Sequence, residues 1–166
     1  MVDFSKIEKD KILKILATVH DPEIPVLSIM EMGIVRKVEI TDDEINIKII
    51  PTYSGCPAMD TIADDIKTAL KEHNLSANVE LVLSPAWSTD FLTEKGKKAL
   101  QEYGIATPMN EQLNKAALVN GEKIIECPQC GSTNTKVVSE FGSTASKALF
   151  KCEDCLEPFD YFKCLK

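Results

Sequence analysis

Four cysteines near the C-terminus constrain this chain more than any other feature. They form two C-x-x-C pairs, Cys127-Pro128-Gln129-Cys130 and Cys152-Glu153-Asp154-Cys155, with twenty-one residues between them. Each pair makes a short turn, here called a knuckle, that directs two sulfurs at one point, and the intervening segment is long enough for a β-hairpin. Four thiolates fill the tetrahedral shell of zinc and leave no position for substrate. The spacing therefore predicts a structural zinc site rather than two disulfides or four unrelated thiols.

The charge and the N-terminal sequence limit the kinds of partner. The formal net charge is −7, and Arg36 is the sole arginine, so the chain is poorly suited to bind the phosphates of nucleic acid. The first sixteen residues lack a long apolar run, which predicts neither a signal peptide nor a membrane span. Six cysteines without an export signal indicate the reducing cytoplasm, where paired cysteines bind metals more often than they form disulfides.

The spacing of apolar residues predicts an α+β fold. Helical spacing predicts helices over residues 5–19, 58–73 and 93–103, and alternation predicts strands over 34–40, 44–51 and 77–83. The order helix, strand, strand, helix, strand, helix is typical of a small mixed α/β domain whose sheet is covered by helices.

A change in composition predicts a second module. We expect the α+β domain to occupy residues 1–107, a linker residues 108–123, and a β zinc ribbon residues 124–166. Residues 158–163 are expected to form a third strand of the ribbon. This segment has little aliphatic core, so the metal is expected to supply the stability that its size denies it.

Cys56 is the candidate reactive residue of the first domain. It follows a predicted strand and precedes a predicted helix, with Gly55 allowing a turn and Pro57 suited to the first helical position. The amides and dipole at a helix N-terminus favour a thiolate. The residues leave two interpretations equally open: a reactive or metal-coordinating thiol, and a small buried cysteine in a tight turn.

The segment His20-Asp21-Pro22-Glu23 places an imidazole and two carboxylates within four residues. Such a set suits a hard metal or acid/base chemistry. It is more often a solvated helix end in which Asp21 accepts hydrogen bonds from neighbouring amides, and the residues alone favour that interpretation. Trp87 is likewise interpreted as a packing residue in a loop, and Cys164 as a spare or competing ligand beside the ribbon.

Several motifs resemble known families. The segments Asp21-Pro22-Glu23-Ile24-Pro25, Gly33-Ile34-Val35 and Gly55-Cys56-Pro57 are similar to the small domain of SufT-like iron–sulfur assembly factors. Segments from about residue 8 to 164 together resemble the PaaD family of phenylacetate-degradation proteins, also called PaaJ. The most specific of them are 86–90, 102–106, 127–132, 139–144 and 157–164.

The resemblance implies a place in the bacterial phenylacetyl-CoA epoxidase system, a multicomponent oxygenase with a di-iron catalytic pair and a flavin and iron–sulfur reductase. It implies an accessory protein, not the catalytic subunit, that helps to load an iron or iron–sulfur centre. The implied partners are the oxygenase or reductase subunits, or the iron–sulfur assembly machinery. A transient iron or cluster would be the cargo, and zinc would stay in the ribbon.

The resemblance also assigns residues. Cys56 matches the cysteine of the family's turn, and Asp21 and Glu23 match its acidic motif, which is expected to lie near that thiol. All four ribbon cysteines match, and so does Cys164. Family members often carry a cysteine where this chain has Ser146, so the resemblance favours the site made by Cys127, Cys130, Cys152 and Cys155.

Two rival functions stay open. In the first, the protein is a stable, non-catalytic docking subunit of the oxygenase complex, and Cys56 only packs. In the second, it is a thiol enzyme with Cys56 as nucleophile, which is weaker because no histidine adjoins Cys56 in sequence and only His20 is left to approach it in space. A homodimer is a further expectation, since small acidic α+β domains with a sheet edge often dimerise.

Overall fold

The structure, a computed structural model, describes residues 9–41, 44–107 and 125–162. The chain divides into two compact units, the first extending to Gly96 and the second beginning at Lys97. The predicted linker at 108–123 and the domain bounds around it stay a prediction, because that segment lies outside the described residues. Among the described residues, no helix combines the length and apolarity needed to cross a membrane.

The first unit has the predicted order of elements. They are α1 (Lys9–Leu16), β1 (Val35–Ile40), β2 (Ile45–Ile49), α2 (Ala58–Glu72) and β3 (Ala77–Leu81), and α3 (Glu94–Glu102) crosses into the second unit. Strand β1 is antiparallel to β2, and β2 is parallel to β3. The predicted mixed sheet of an α+β domain is thus confirmed.

The core of the first unit is aliphatic, and it follows from two periodicities. Along β2 every second residue is buried, and along α2 buried residues recur every fourth position, as a half-buried strand and an amphipathic helix require. Helix α2 packs on α1 and on β3. The chain between β2 and α2 is short, and Cys56 lies in it. The buried residues of this core include Ile45, Ile47 and Ile49 of β2 and Ile62, Ile66 and Leu70 of α2.

The loops of the first unit are fixed by close packing. Gly33 has φ +68°, and a β-carbon there would lie 2.4 Å from the carbonyl oxygen of Phe91, so only glycine fits this position. Trp87 is buried, and its indole Nε1–H donates to the carbonyl oxygen of Met32 at 2.7 Å. The interpretation of Trp87 as a packing residue is confirmed.

The second unit contains a four-stranded sheet, one strand larger than predicted. Its strands are β4 (Ile105–Ala106), β5 (Thr135–Ser139), β6 (Lys147–Cys152) and β7 (Pro158–Phe162), in the order β4-β7-β6-β5. The hairpin β5–β6 between the knuckles and the third strand β7 were both predicted, whereas β4, which pairs in parallel with β7, was not.

The core of the second unit is aromatic and sulfur-rich. Phe150 stacks on Phe159 with ring centroids 5.9 Å apart and meets the Tyr161 ring edge-on at 5.5 Å. The buried sulfurs of Cys127 and Cys152 belong to the same cluster as these rings. This small core therefore lies directly against two of the four predicted metal ligands.

Two candidate sites built on cysteine

The four ribbon cysteines converge as a tetrahedral metal site requires. All four sulfurs lie within 4.8 Å of one another, with Cys127 Sγ 3.7 Å from Cys155 Sγ and Cys130 Sγ 3.6 Å from Cys152 Sγ. Ligands about 2.3 Å from a tetrahedral zinc are about 3.8 Å apart, whereas a disulfide brings two sulfurs to about 2.05 Å. The geometry fits a metal ion and no disulfide.

Similar backbone turns build the two knuckles. In the first, Gly131 N–H donates to the Cys127 carbonyl at 2.9 Å, and Cys127 N–H donates to the Ser132 carbonyl at 2.8 Å. In the second, Cys152 N–H donates to the Glu157 carbonyl at 3.0 Å. The residue after each knuckle has a positive φ, Gly131 at +74° and Leu156 at +67°. A glycine after a ligand pair indicates such a turn in the sequence, whereas a leucine gives no sign of it.

The thiols of the cluster influence one another's ionisation, because they lie so close together. Hydrogen bonds from the backbone N–H groups of Cys155 and Asp154 outweigh desolvation and lower the pKa of Cys152 to about 7. At Cys155 the N–H of Glu157 acts in the same direction, but desolvation and the neighbouring thiols raise the pKa to about 12. Four thiolates so close together need a cation among them, and this is what a metal dication supplies.

Cys56 lies in a tight turn immediately before α2. Its N–H donates to the Tyr53 carbonyl at 3.2 Å, and its own carbonyl accepts from Met59 N–H at 3.3 Å. Pro57 is the N-cap, in helical conformation, and α2 begins at Ala58 as predicted. Gly55 has φ +74° with open space around the position of a β-carbon. The turn leaves Cys56 half-buried.

Tyr53 links Cys56 to Glu23. The Tyr53 hydroxyl donates to Glu23 Oε1 at 3.1 Å and also lies within hydrogen-bonding reach of the Cys56 thiol. The structure therefore brings Glu23 towards Cys56, as the family resemblance implied, although the two are far apart in sequence. Sequence reasoning missed Tyr53, whose only signal was a hydroxyl three residues before the cysteine in a turn.

Burial decides the ionisation of Cys56. Desolvation raises the pKa of the thiol and is the largest effect, and the negative charge of Glu23 adds to it. The backbone N–H of Ala58 and the Tyr53 hydroxyl lower the pKa, as expected at a helix N-terminus, but they do not prevail. Desolvation, the Cys56 thiol and Glu23 also raise the pKa of Tyr53. The unliganded thiol is thus held protonated at neutral pH.

Asp21 shapes the turn that carries Glu23. It is buried, and its Oδ1 accepts hydrogen bonds from Glu23 N–H at 2.7 Å and from Ile24 N–H at 2.9 Å. This capping role is the one that the residues alone favoured. His20 is exposed, and because its Nδ1 lies 2.8 Å from the Pro25 carbonyl, that nitrogen must be the donor. Cys164 lies outside the described residues.

Comparison with known proteins shows that the two sites lie in segments that match two different domain families. A model described as "Iron-sulfur cluster assembly protein" matches residues 9–81, which include Glu23, Tyr53 and Cys56. A model described as "PaaD zinc beta ribbon domain" matches residues 111–163, which include the four clustered cysteines. A protein of Escherichia coli K12, named as one subunit of a "Putative 1,2-phenylacetyl-CoA epoxidase", is 43% identical over 93% of this chain and 92% of its own. The chain belongs to the PaaD family.

Two further relatives cover the first part of this PaaD-family chain. The Fe-S protein maturation auxiliary factor SufT of Staphylococcus aureus is 34% identical over 49% of this chain and 96% of its own. The crystal structure of a domain of unknown function, DUF59, from Bacillus anthracis matches with a TM-score of 0.52 and 28% identity, covering 55% of this chain and 90% of that domain. This chain thus combines a segment that matches an iron–sulfur cluster assembly model with one that matches a zinc ribbon model.

Proposed function

We propose that this protein is an accessory factor of the phenylacetyl-CoA ring-epoxidase system, acting in the cytoplasm, that helps to assemble or insert an iron–sulfur or iron centre and has no catalytic activity of its own. The observation that carries the proposal is the half-buried Cys56 thiol at the start of α2, connected through Tyr53 to Glu23. It lies in the segment that matches the iron–sulfur cluster assembly model. The names of the relatives from E. coli and S. aureus support both halves of the proposal.

A transferable iron or cluster is the cargo, and Cys56 is its ligand. A thiol loses its proton when it binds a metal, and the Ala58 N–H is placed to donate to the resulting thiolate. Because the pKa of the free thiol is raised, protons compete with the metal for the sulfur. A lone sulfur under such competition holds its cargo weakly, which suits transfer rather than storage.

The ribbon holds zinc and presents a docking surface. Cys127, Cys130, Cys152 and Cys155 fill the zinc shell, so the metal stabilises the fold and takes no part in transfer. The adjacent strand β5 and its following turn expose Val137, Val138 and Phe141 to solvent. The proposed partners are the oxygenase or reductase components of the epoxidase, or the iron–sulfur assembly machinery.

Substitution of Cys56 by serine tests the transfer function. We expect Cys56→Ser to fold and to keep one zinc per chain, but to lose iron and sulfide after purification without oxygen and to lose support of epoxidase activity in cells. Ser54→Ala, an exposed change in the same turn, is the matched control and should behave as wild type. Full epoxidase support by Cys56→Ser would refute a transfer role for this thiol.

The alternative of a stable docking component is favoured by one observation, the exposed apolar side chains of Val137, Val138 and Phe141. Such a component should copurify with the oxygenase at fixed stoichiometry, and Cys56→Ser should leave its function intact. The thiol-enzyme alternative is disfavoured, because burial raises the pKa of Cys56 and so keeps the thiol in its less nucleophilic, protonated form. Dimerisation stays a prediction, tested by the mass of the protein in solution.

A further inference from the structure

A network of hydrogen bonds joins the two knuckles of the ribbon without involving sulfur. Asp154 lies inside the second knuckle, and its carboxylate accepts from the Ser132 hydroxyl and from Asn134 Nδ2, the latter at 3.0 Å. Asn134 N–H donates to the Ser132 hydroxyl at 3.0 Å, and Glu153 N–H donates to the Asn134 carbonyl at 2.8 Å. The segment after the first ligand pair is therefore fastened to the loop between the second pair.

We propose that Asp154 is a positioning residue for the ribbon metal, a clamp that keeps the two knuckles at ligand distance and slows loss of the metal. The proposal rests on occupancy of the four-cysteine site by zinc. A metal leaves such a site when one sulfur detaches and its knuckle swings away before the sulfur returns. The clamp lies beside the more accessible ligands, since Ser132 is two residues after the exposed Cys130 and Asp154 is one residue before the half-buried Cys155.

The clamp consists of charge-assisted bonds. An aspartate carboxyl is ionised at neutral pH, so Ser132 and Asn134 donate to an anion. Hydrogen bonds to an ionised acceptor are roughly twice as strong as neutral ones. Outer groups of this kind that orient metal ligands typically change metal affinity by about 10–100-fold when they are removed.

If Asp154 acted on the site only through its charge, its removal would slow the loss of zinc, whereas removal of a clamp should speed it. Zinc with four thiolates carries a net charge of about −2, and the Asp154 carboxylate adds a further negative charge nearby. Removing that charge should stabilise the site and slow the loss of zinc. The clamp predicts faster loss, so the direction of the change distinguishes positioning from a charge effect.

The test is the rate at which full-length, zinc-loaded protein gives up its metal to an excess of chromogenic chelator. We expect Asp154→Ala to release zinc about tenfold faster than wild type. Asp154→Asn should be intermediate, because an amide oxygen still accepts from Ser132 while its NH₂ group cannot accept from Asn134. Ser132→Ala should also accelerate release, and combining it with Asp154→Ala should give less than the sum of the two effects.

Glu153→Gln is the matched control. It removes an equal charge from the same knuckle, keeps the backbone N–H that donates to Asn134, and loses only an exposed ion pair with Lys136 at 3.7 Å. We expect it not to accelerate release. Cobalt-loaded Asp154→Ala should keep the absorption of a tetrahedral four-thiolate site, which would show that the ligands still assemble.

Three results would overturn the proposal: release from Asp154→Ala that is unchanged or slower, equal acceleration by Glu153→Gln, and a wild-type chain that binds no zinc. The last result would remove the proposed zinc occupancy, and it would leave the iron-transfer role of Cys56 untouched. If Asp154→Ala fails to fold, Asp154→Asn and Ser132→Ala decide the question, and wild-type release rates in both would refute the clamp.

Discussion

The two units of this protein use the same residue type in opposite ways. In the ribbon, four thiols lie within 4.8 Å of one another and form a closed shell. In the first unit, Cys56 has a tyrosine hydroxyl, a carboxylate and a helix N-terminus around it, and it is the one described cysteine outside the cluster. Under the proposed function, the closed set of four sulfurs keeps its metal, whereas the single sulfur of Cys56 passes its metal on.

The sources of stability differ as well. The first unit buries isoleucine and leucine from α1, α2 and the sheet, which suffices for a domain of ordinary composition. The ribbon buries a few aromatic rings against its own ligands, Cys127 and Cys152. The first unit should therefore be insensitive to metal, and the ribbon should depend on it.

Metal removal should give the largest effect. A chelator with a reductant should unfold the ribbon and leave the first unit folded, because zinc binding to small domains contributes on the order of 10 kcal/mol to their folding. Hydrogen exchange should show lost protection in β5, β6 and β7 and retained protection in α2. Restored zinc should return the protection, and ribbon amides that stay protected without metal would break the comparison.

A substitution in the aliphatic core should destabilise the first unit, which metal removal leaves folded. Ile66 is fully buried on α2, so Ile66→Ala should lower the free energy of unfolding of the first unit by about 2–5 kcal/mol, with or without metal. Urea denaturation followed by Trp87 fluorescence measures it, since Trp87 is the single tryptophan and lies in the first unit. Lys67→Ala, at the next and exposed position, should change stability by less than about 0.5 kcal/mol.

Two substitutions beside Cys56 should give the smallest effects, with opposite signs. Tyr53→Phe removes a hydroxyl that lowers the pKa of Cys56, so the pKa should rise and alkylation at fixed pH should slow. Glu23→Gln removes a negative charge that raises this pKa, so alkylation should become faster. Iodoacetamide labelling across pH, with the ribbon zinc-loaded and Cys56 assigned by mass spectrometry, measures both.

Shifts of the two pH profiles in the same direction would show that Tyr53 and Glu23 do not act on the thiol separately.

The raised pKa of Cys56 also sets how its contribution to the stability of the wild type changes with pH. A thiol whose pKa is raised by folding keeps its proton in the native state above pH 9.0, where the unfolded chain has lost it. The contribution of Cys56 to stability therefore falls as the pH rises beyond that point, and Cys56→Ser should remove this part of the pH dependence.

Sequence patterns predicted the parts of the molecule that depend on local spacing. The knuckle cysteines, the alternation along β2 and the four-residue recurrence along α2 each follow from the geometry of one element, and the structure has them. Glycines at a turn, such as Gly55 and Gly131, carried the same kind of local signal.

Features that depend on distant contacts escaped prediction. The Tyr53–Glu23 hydrogen bond joins residues thirty positions apart, and no pattern in either segment indicates it. The raised pKa of Cys56 arises from burial, which the turn sequence does not report, so the helix N-terminus alone suggested the opposite shift. Asp154 stands between two cysteines as an ordinary polar residue, and only the folded ribbon shows which side chains it meets.

The parallel pairing of β4 with β7 bears on how the ribbon can be cut out of the chain. The segment that matches the zinc ribbon family begins at residue 111. It therefore excludes Ile105 and Ala106, which pair with Asp160 and Tyr161. A recombinant fragment that starts there would leave one side of β7 as an open edge, a template for aggregation. A fragment cut where the family match begins is therefore not an independent structural unit. A fragment meant for structural or binding work should retain β4.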